Sequence, residues 1–370
     1  MKKQEQISVG VAGAGYIANF AHLPSLSNHP AVNLKALCDL NLDKAHSTAK
    51  RFRIPRVYST LQEMLSNESL DLIDICLPPQ RHYTAIMEAL AHGANCLVEK
   101  PLTLNTADAD AAISQSQKTG LKIYVTHNYS ALPAVLKAKD LVAKGTVGRV
   151  RGAHVNHLNV FAPRHLEAHH WVHSLAGDYF SEVGPHLAML LVEFIGSVDK
   201  AEVIAIKTSN YDSIKLDEYG IVASANGAVG TISCSMNCPS RALTIDVWGT
   251  EGWLHVNADY QAVIFRGPLN SSLNVWGRGK AGLSDIYHRS LALIATSIKV
   301  LTRRYSAETL GHRYLIAEAI RDLKGTAQYP IQTKNAREAV RLLELAFQET
   351  PETSAVNESD QQVVGKIIEG

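Results

Sequence analysis

Short apolar runs punctuate the first third of the chain: Ile7 to Ala12, Val32 to Cys38, Leu72 to Leu77, Asn95 to Val98 and Lys122 to Thr126. Between them, Asp43 to Arg53, His82 to His92 and Thr106 to Thr119 carry apolar residues at helical spacing. Gly93 and Gly120 stand just past two of these stretches, where a left-handed glycine closes a helix. Strands alternating with helices predict a parallel sheet wound on both faces, with ligand sites at the carboxyl ends of its strands.

After Asn128 the pattern changes. Leu132 to Lys144 reads as one more helix and Arg149 to Asn159 as a long strand. Val203 to Lys207, Tyr219 to Ser224, Val229 to Met236, Leu243 to Trp248 and Trp253 to Asn257 follow as strands. Asn226-Gly227 and Gly249-Thr250-Glu251-Gly252 supply hairpin turns between them. Helical patterns return at Asp285 to Arg304, His312 to Lys324 and Ala336 to Gln348. The expected architecture is α/β: an N-terminal Rossmann domain over residues 1–127 and a C-terminal α+β domain over 128–350, built on a largely antiparallel sheet. Residues 351–370 read as a polar tail. Val229 to Met236 and Leu243 to Trp248 look apolar on both faces, which predicts a homodimer or homotetramer formed through this sheet.

Apolar residues make up 46% of the 370 and charged residues 19%, so a sizeable core is expected. A net charge of +1 gives no global field to attract nucleic acid or an anionic membrane. Five cysteines, three of them in or ending apolar runs, read as core residues of a reducing, cytoplasmic compartment. Ile286 to Leu301 comes nearest to a membrane span, but His288, Arg289 and Lys299 interrupt it. It reads as a core or dimer-facing helix with cations at its C-terminal end.

The first run feeds directly into Gly13-Ala14-Gly15-Tyr16-Ile17-Ala18. Gly13 permits a tight turn with positive φ, Gly15 keeps no Cβ between backbone and a pyrophosphate, and Ala18 lets the helix pack close. The helix start offers free N–H groups to phosphates. Asp39, ending the next strand, stands where a carboxylate receives both ribose hydroxyls. Its charge, followed by Leu40 and Asn41 with no arginine, predicts NAD over NADP.

Glu99-Lys100-Pro101 follows the Asn95 to Val98 run. A lysine pinned there by proline points into the cofactor crevice and can exchange a proton with a substrate hydroxyl, although a surface lysine in a tight turn gives the same tripeptide. Two further segments, Leu77-Pro78-Pro79-Gln80-Arg81-His82 and Gly184-Pro185-His186, complete a set. With them the chain resembles the Gfo/Idh/MocA oxidoreductases, named for glucose-fructose oxidoreductase and inositol dehydrogenase, over residues 7–350. Gly13, Gly15 and Ala18 match the nucleotide fingerprint that encloses Tyr16 and Ile17, and Asp39 the ribose acid. Pro78 and His82 match a cofactor loop in which Leu77 and Pro79 depart, and Glu99, Lys100 and Pro101 match the glutamate-lysine-proline signature. Gly184 and His186 match a glycine-x-histidine pattern.

The resemblance implies an NAD-dependent oxidoreductase acting on CH–OH groups of a sugar, sugar derivative or polyol. Lys100 and His186 would flank the reacting carbinol, Glu182 would hold a sugar hydroxyl or orient His186, and Asn128 and Tyr129 would line the substrate side. Departures are Glu182 for aspartate, Met189 for a common acid and Ser130 for arginine. They leave two alternatives, a sensor without turnover and a glycoside hydrolase using bound NAD. His165, His169, His170 and His173 surround Trp171, whose ring suits stacking on a sugar. His169 and His173 share a helical face, yet hydride transfer needs no metal, and a substrate-loop role for Trp171 and His173 is the expectation.

Overall fold

The computed structural model describes residues 6–162, 166–167, 171–175, 177, 179–268, 290, 294 and 307–348. Most of the expected helix at Asp285 to Arg304, the tail at 351–370, and His165, His169 and His170 lie outside the described residues.

Strands β1 (Ile7–Ala12), β2 (Val32–Cys38), β3 (Arg56–Tyr58), β4 (Leu72–Ile75), β5 (Asn95–Glu99) and β6 (Ile123–Thr126) form one parallel sheet in the order β3-β2-β1-β4-β5-β6. The order reverses between β1 and β4, which opens a crevice at their carboxyl ends. The helices between strands start on side-chain caps: Asn41 for α2 (Leu42–Phe52), Thr60 for α3 (Leu61–Asn67) and Asn105 for α5 (Thr106–Thr119), with α1 (Leu23–Ser27) and α4 (His82–Ala91) completing the set. Gly120, at φ 71°, ends α5 as expected. Strand β3 and helix α3 escape the periodicity reading because each is short.

The second sheet contains β7 (Val150–Val160), β8 (Lys200–Ile206), β9 (Glu218–Ala225), β10 (Ala228–Ser235), β11 (Asn237–Gly249), β12 (Trp253–Asn257) and β13 (Ala262–Arg266), in the order β13-β12-β11-β7-β10-β9-β8. It is antiparallel except where β10 runs parallel to β7. Asn226 and Gly227, both at positive φ, make the β9–β10 hairpin. The expectation of two apolar faces on β10 and β11 needs correction. Ile232, Cys234, Ile245 and Val247 are buried, but the opposite face carries Thr231, Ser233, Thr244 and Asp246. On that face Val229 of β10 is exposed, and the most exposed apolar residues of the sheet lie on β8 and β9, at Ile204 and Val222.

Helix α6 (Pro133–Ala143) leads into β7, and α7 (Phe180–Ile195) lies almost wholly buried on the second sheet. Of the last two helices, α8 (Ala307–Leu323) packs beside the first sheet, and α9 (Thr333–Gln348) lies between α7 and β8 on one side and α5 and β6 on the other. Tyr124 donates to Asp322 at 2.6 Å, Tyr329 to the Val125 carbonyl at 2.9 Å, and Arg337 forks onto Asp110. An added Cβ at Gly311 of α8 would lie 2.1 Å from the Asn128 carbonyl oxygen, so this close approach requires glycine.

Candidate active site

The turn after β1 is built from the inside. Gly13 sits at φ 101°, and an added Cβ would stand 2.5 Å from the Cys76 carbonyl oxygen. The Ala14 N–H donates to Asp39 Oδ2 at 2.8 Å and the Asn41 N–H to Oδ1 at 2.9 Å. Asp39 therefore anchors the glycine turn and keeps lone pairs for a ribose. Nothing comes nearer than 4.0 Å to an added Cβ at Gly15, whose backbone faces an open cavity. A widened π-turn over Ala18–His22 follows, with Tyr16 and Phe20 stacked at 5.2 Å on the cavity rim and His22 turned into the core. The sequence suggested a regular helix there.

One cavity of about 840 Å³ runs from this turn to the second sheet. Gly13, Gly15, Tyr16, Ile17, Asp39, Leu77, Pro78, Glu99, Lys100, Asn128, Tyr129, Glu182 and His186 all line it. His82 does not: wholly buried, its Nδ1 lies 2.7 Å from the Pro101 carbonyl and its Nε2 2.9 Å from that of Leu77. It clamps the loops after β4 and β5 from behind the wall. His173, in the turn Trp171–Ser174, is half-buried and is not among the described lining residues. Met189 is fully buried in α7, where a methionine fills the domain core, and Ser130 is buried behind the cavity lining.

Lys100 leaves β5 before a cis bond to Pro101, and its Nζ donates to the Glu182 carbonyl at 2.7 Å. Glu182 stands in the first turn of α7, one helical turn ahead of His186, so that bond seats the ammonium beside the helix face carrying the imidazole. The His186 ring stacks on Tyr129, with centroids 4.2 Å apart. Burial, then the Lys100 charge and His127, hold His186 well below the usual histidine range. The ring is neutral at physiological pH, and its buried Nδ1 has no protein hydrogen-bond partner among the described residues. A neutral imidazole beside an ammonium can accept a proton while the ammonium steadies the oxygen that loses it.

Several lining residues carry no local motif. His157 reaches in from β7, pushed down to about 4 by burial and the Arg241 charge. Arg241, Asp259 and Tyr179 complete the far wall, and His312 arrives from α8. Asp74 is a charged residue inside the apolar run of β4, an interruption that marks a buried partner, and His22 plays the same part among alanines and leucines.

Residues 7–127 match the model of an oxidoreductase family with an NAD-binding Rossmann fold, and residues 135–255 match a GFO/IDH/MocA C-terminal domain. This sheet order and glycine turn are those of an NAD-binding Rossmann fold. The chain belongs to the Gfo/Idh/MocA family. An oxidoreductase of Formosa agariphila is 24% identical over 201 residues, covering 53% of this chain and 63% of its own length. The chain thus spans a little under two thirds of that relative. The D-apiose dehydrogenase of Paraburkholderia graminis is 24% identical over 68% of each chain. In structure, the WlbA dehydrogenase of Bordetella pertussis, solved with NADH and UDP-GlcNAcA, superposes with a TM-score of 0.75 at 18% identity, covering 93% of this chain and 95% of that one. No helix among the described residues is long and apolar enough to cross a membrane.

Proposed function

We propose that this protein is an NAD-dependent dehydrogenase that oxidises a hydroxyl-bearing carbon of a sugar, sugar derivative or polyol, or reduces the matching ketone. Bound nicotinamide supplies the hydride acceptor or donor. Gly13, Gly15 and Asp39 hold its dinucleotide, and Leu77 and Pro78 wall the ring end. His186 takes the proton from the substrate hydroxyl in oxidation and returns it in reduction. The Lys100 ammonium donates a hydrogen bond to the same oxygen and stabilises its developing negative charge. Asn128, Glu182 and the Tyr129 ring fix the substrate, and Glu182 also fixes Lys100 through its carbonyl.

One observation carries this reading: Lys100 and His186, 86 residues apart in sequence, share one cavity wall and are joined through the Glu182 turn. A sugar class is supported by the D-apiose dehydrogenase relative and by the nucleotide sugar bound to the WlbA neighbour. The test is a panel of free sugars, sugar acids, polyols and nucleotide sugars with NAD+, followed at the NADH absorbance band. Net NADH formation with one class supports the dehydrogenase. Ligand-dependent thermal shifts without turnover would instead identify a sensor, and product release without net NADH a glycoside-cleaving enzyme.

A further inference from the structure

Beneath Lys100 lies a buried chain of ionisable groups that proton transfer at His186 leaves unused. Glu99 Oε1 meets Thr126 Oγ1 at 2.7 Å, His22 Nε2 at 2.8 Å and His312 Nε2 at 3.3 Å. Its other oxygen accepts the Lys100 backbone N–H at 3.2 Å. His22 continues through Nδ1 to Asp74 Oδ1, 2.8 Å away, so one imidazole stands between two carboxylates. His22 and Asp74 are fully buried, and Glu99 is 6% exposed.

Burial opposes charge on both His22 and Glu99, but the neighbours outweigh it. The Asp74 charge holds His22 well above the usual histidine range, and hydrogen bonds from His22 and His312 hold Glu99 well below the usual carboxylate range. Of the two carboxylates, only that of Glu99 lines the cavity. Donor atoms of His22, Glu99 and His312 lie within 4.8 Å of one another, a spacing that could hold a metal ion. Both His22 nitrogens are already bonded to carboxylates, so an electrostatic role fits this set better.

We propose that Glu99 is the counter-charge for oxidised nicotinamide, held in place by His22, Asp74 and His312, so that the site favours NAD+ over NADH. A buried carboxylate acts through a weakly screening medium, and the ring it faces is cationic as NAD+ and neutral as NADH. The inference rests on the reading that nicotinamide lies against Lys100 and His186.

The test is titration of the whole protein with NAD+ and with NADH by calorimetry, for wild type, Glu99→Gln and His312→Gln. Wild type should bind NAD+ at least as tightly as NADH. Glu99→Gln should raise the ratio Kd(NAD+)/Kd(NADH) by about tenfold, the size of one charge interaction across a partly dried site. His312→Gln removes one of the groups that hold Glu99 but keeps the carboxylate and an amide donor, so it should shift the ratio less than Glu99→Gln does, and an equal or larger shift would overturn the counter-charge. Equal weakening of both forms in Glu99→Gln would overturn the counter-charge while leaving the dehydrogenase reading intact. Absence of binding to wild type overturns both. Should Glu99→Gln fail to fold, the wild-type ratio still decides: tighter binding of NADH than of NAD+ refutes the proposal.

Discussion

His127, which follows β6, is 1% exposed, and neither of its ring nitrogens has a hydrogen-bond partner among the described residues. Burial drives it down to about 3 from the ordinary 6.5. The unfolded chain takes up a proton near pH 6.5 that the folded chain refuses until about 3. Its stabilising contribution is therefore complete above 6.5 and lost as pH falls below it. At pH 5 that loss is about 2 kcal/mol for His127. His157, folded at about 4, adds about 2 kcal/mol in the same window, and His186 acts in the same direction. His22 works oppositely: its share is intact below 6.5 and fades as pH rises through its raised folded value. Glu99, held well below 4.5, loses its share only under more acid conditions than these.

Replacing His127 with leucine, of similar volume, removes one titrating group and two buried unpaired nitrogens. Near pH 7.5 the change should be neutral or mildly stabilising, because no hydrogen bond is lost. Urea unfolding followed by tryptophan fluorescence, without cofactor, gives the stability at pH 7.5 and 5. Wild type should lose at least about 4 kcal/mol between them, and His127→Leu about 2 kcal/mol less. Equal acid losses in the two proteins, or a flat wild-type profile, would show that these histidines are not held neutral by the fold.

The Asp39 carboxylate should make NADH bind about tenfold or more tighter than NADPH, because it repels a 2′-phosphate; equal affinities in a fluorescence titration refute this. Asp39→Ser with Leu40→Arg should shift preference towards NADPH while weakening both, since Asp39 also holds the Ala14 N–H. The exposed apolar pair Ile204 (75%) and Val222 (57%) on the outer sheet face predicts self-association there. A monomer in sedimentation at micromolar concentration, or an assembly indifferent to Ile204→Asp, contradicts it. Lys100→Met should preserve folding and NAD binding but lower turnover about 10²–10⁴-fold, and His186→Asn should do comparable damage. If the two act together, the double variant in single-turnover NADH formation should be little slower than either single.

What the sequence made legible was local. The glycine turn, the Asp39 carboxylate and the Lys100-Pro101 corner each depend on neighbours within a few residues of a strand end, where residue type and backbone geometry are tightly coupled. The alternating strands and helices followed for the same reason. The far wall of the cavity was not legible, because His157, Arg241 and Asp259 meet only through strand order, and the parallel β7–β10 pair leaves no local signature. The outer face of the second sheet was misjudged because an apolar count does not say which residues share a side; the register puts Thr231 and Asp246 there. Asp74 and His22 went unread, although each is a polar interruption in an apolar segment. Their partnership needed the π-turn that swings His22 inward.

The same geometry explains why neither half of the chain can form this site alone. Lys100 is fixed to the first sheet through its backbone and to α7, beside the second sheet, through its ammonium, so the docking of the halves sets how the groups proposed to handle the proton face each other. That docking is enforced from a third direction. Helix α8 presses Gly311 against the Asn128 carbonyl and delivers His312 to Glu99, the residue directly before Lys100. The last helix then ties back through Arg337 and Asp110. A catalytic constellation held from one side tolerates small rotations. One held from three sides does not, and errors of about 1 Å in such groups cost about a hundredfold in rate. The C-terminal helices, remote in sequence from every motif, are therefore part of what makes Lys100 and His186 a pair.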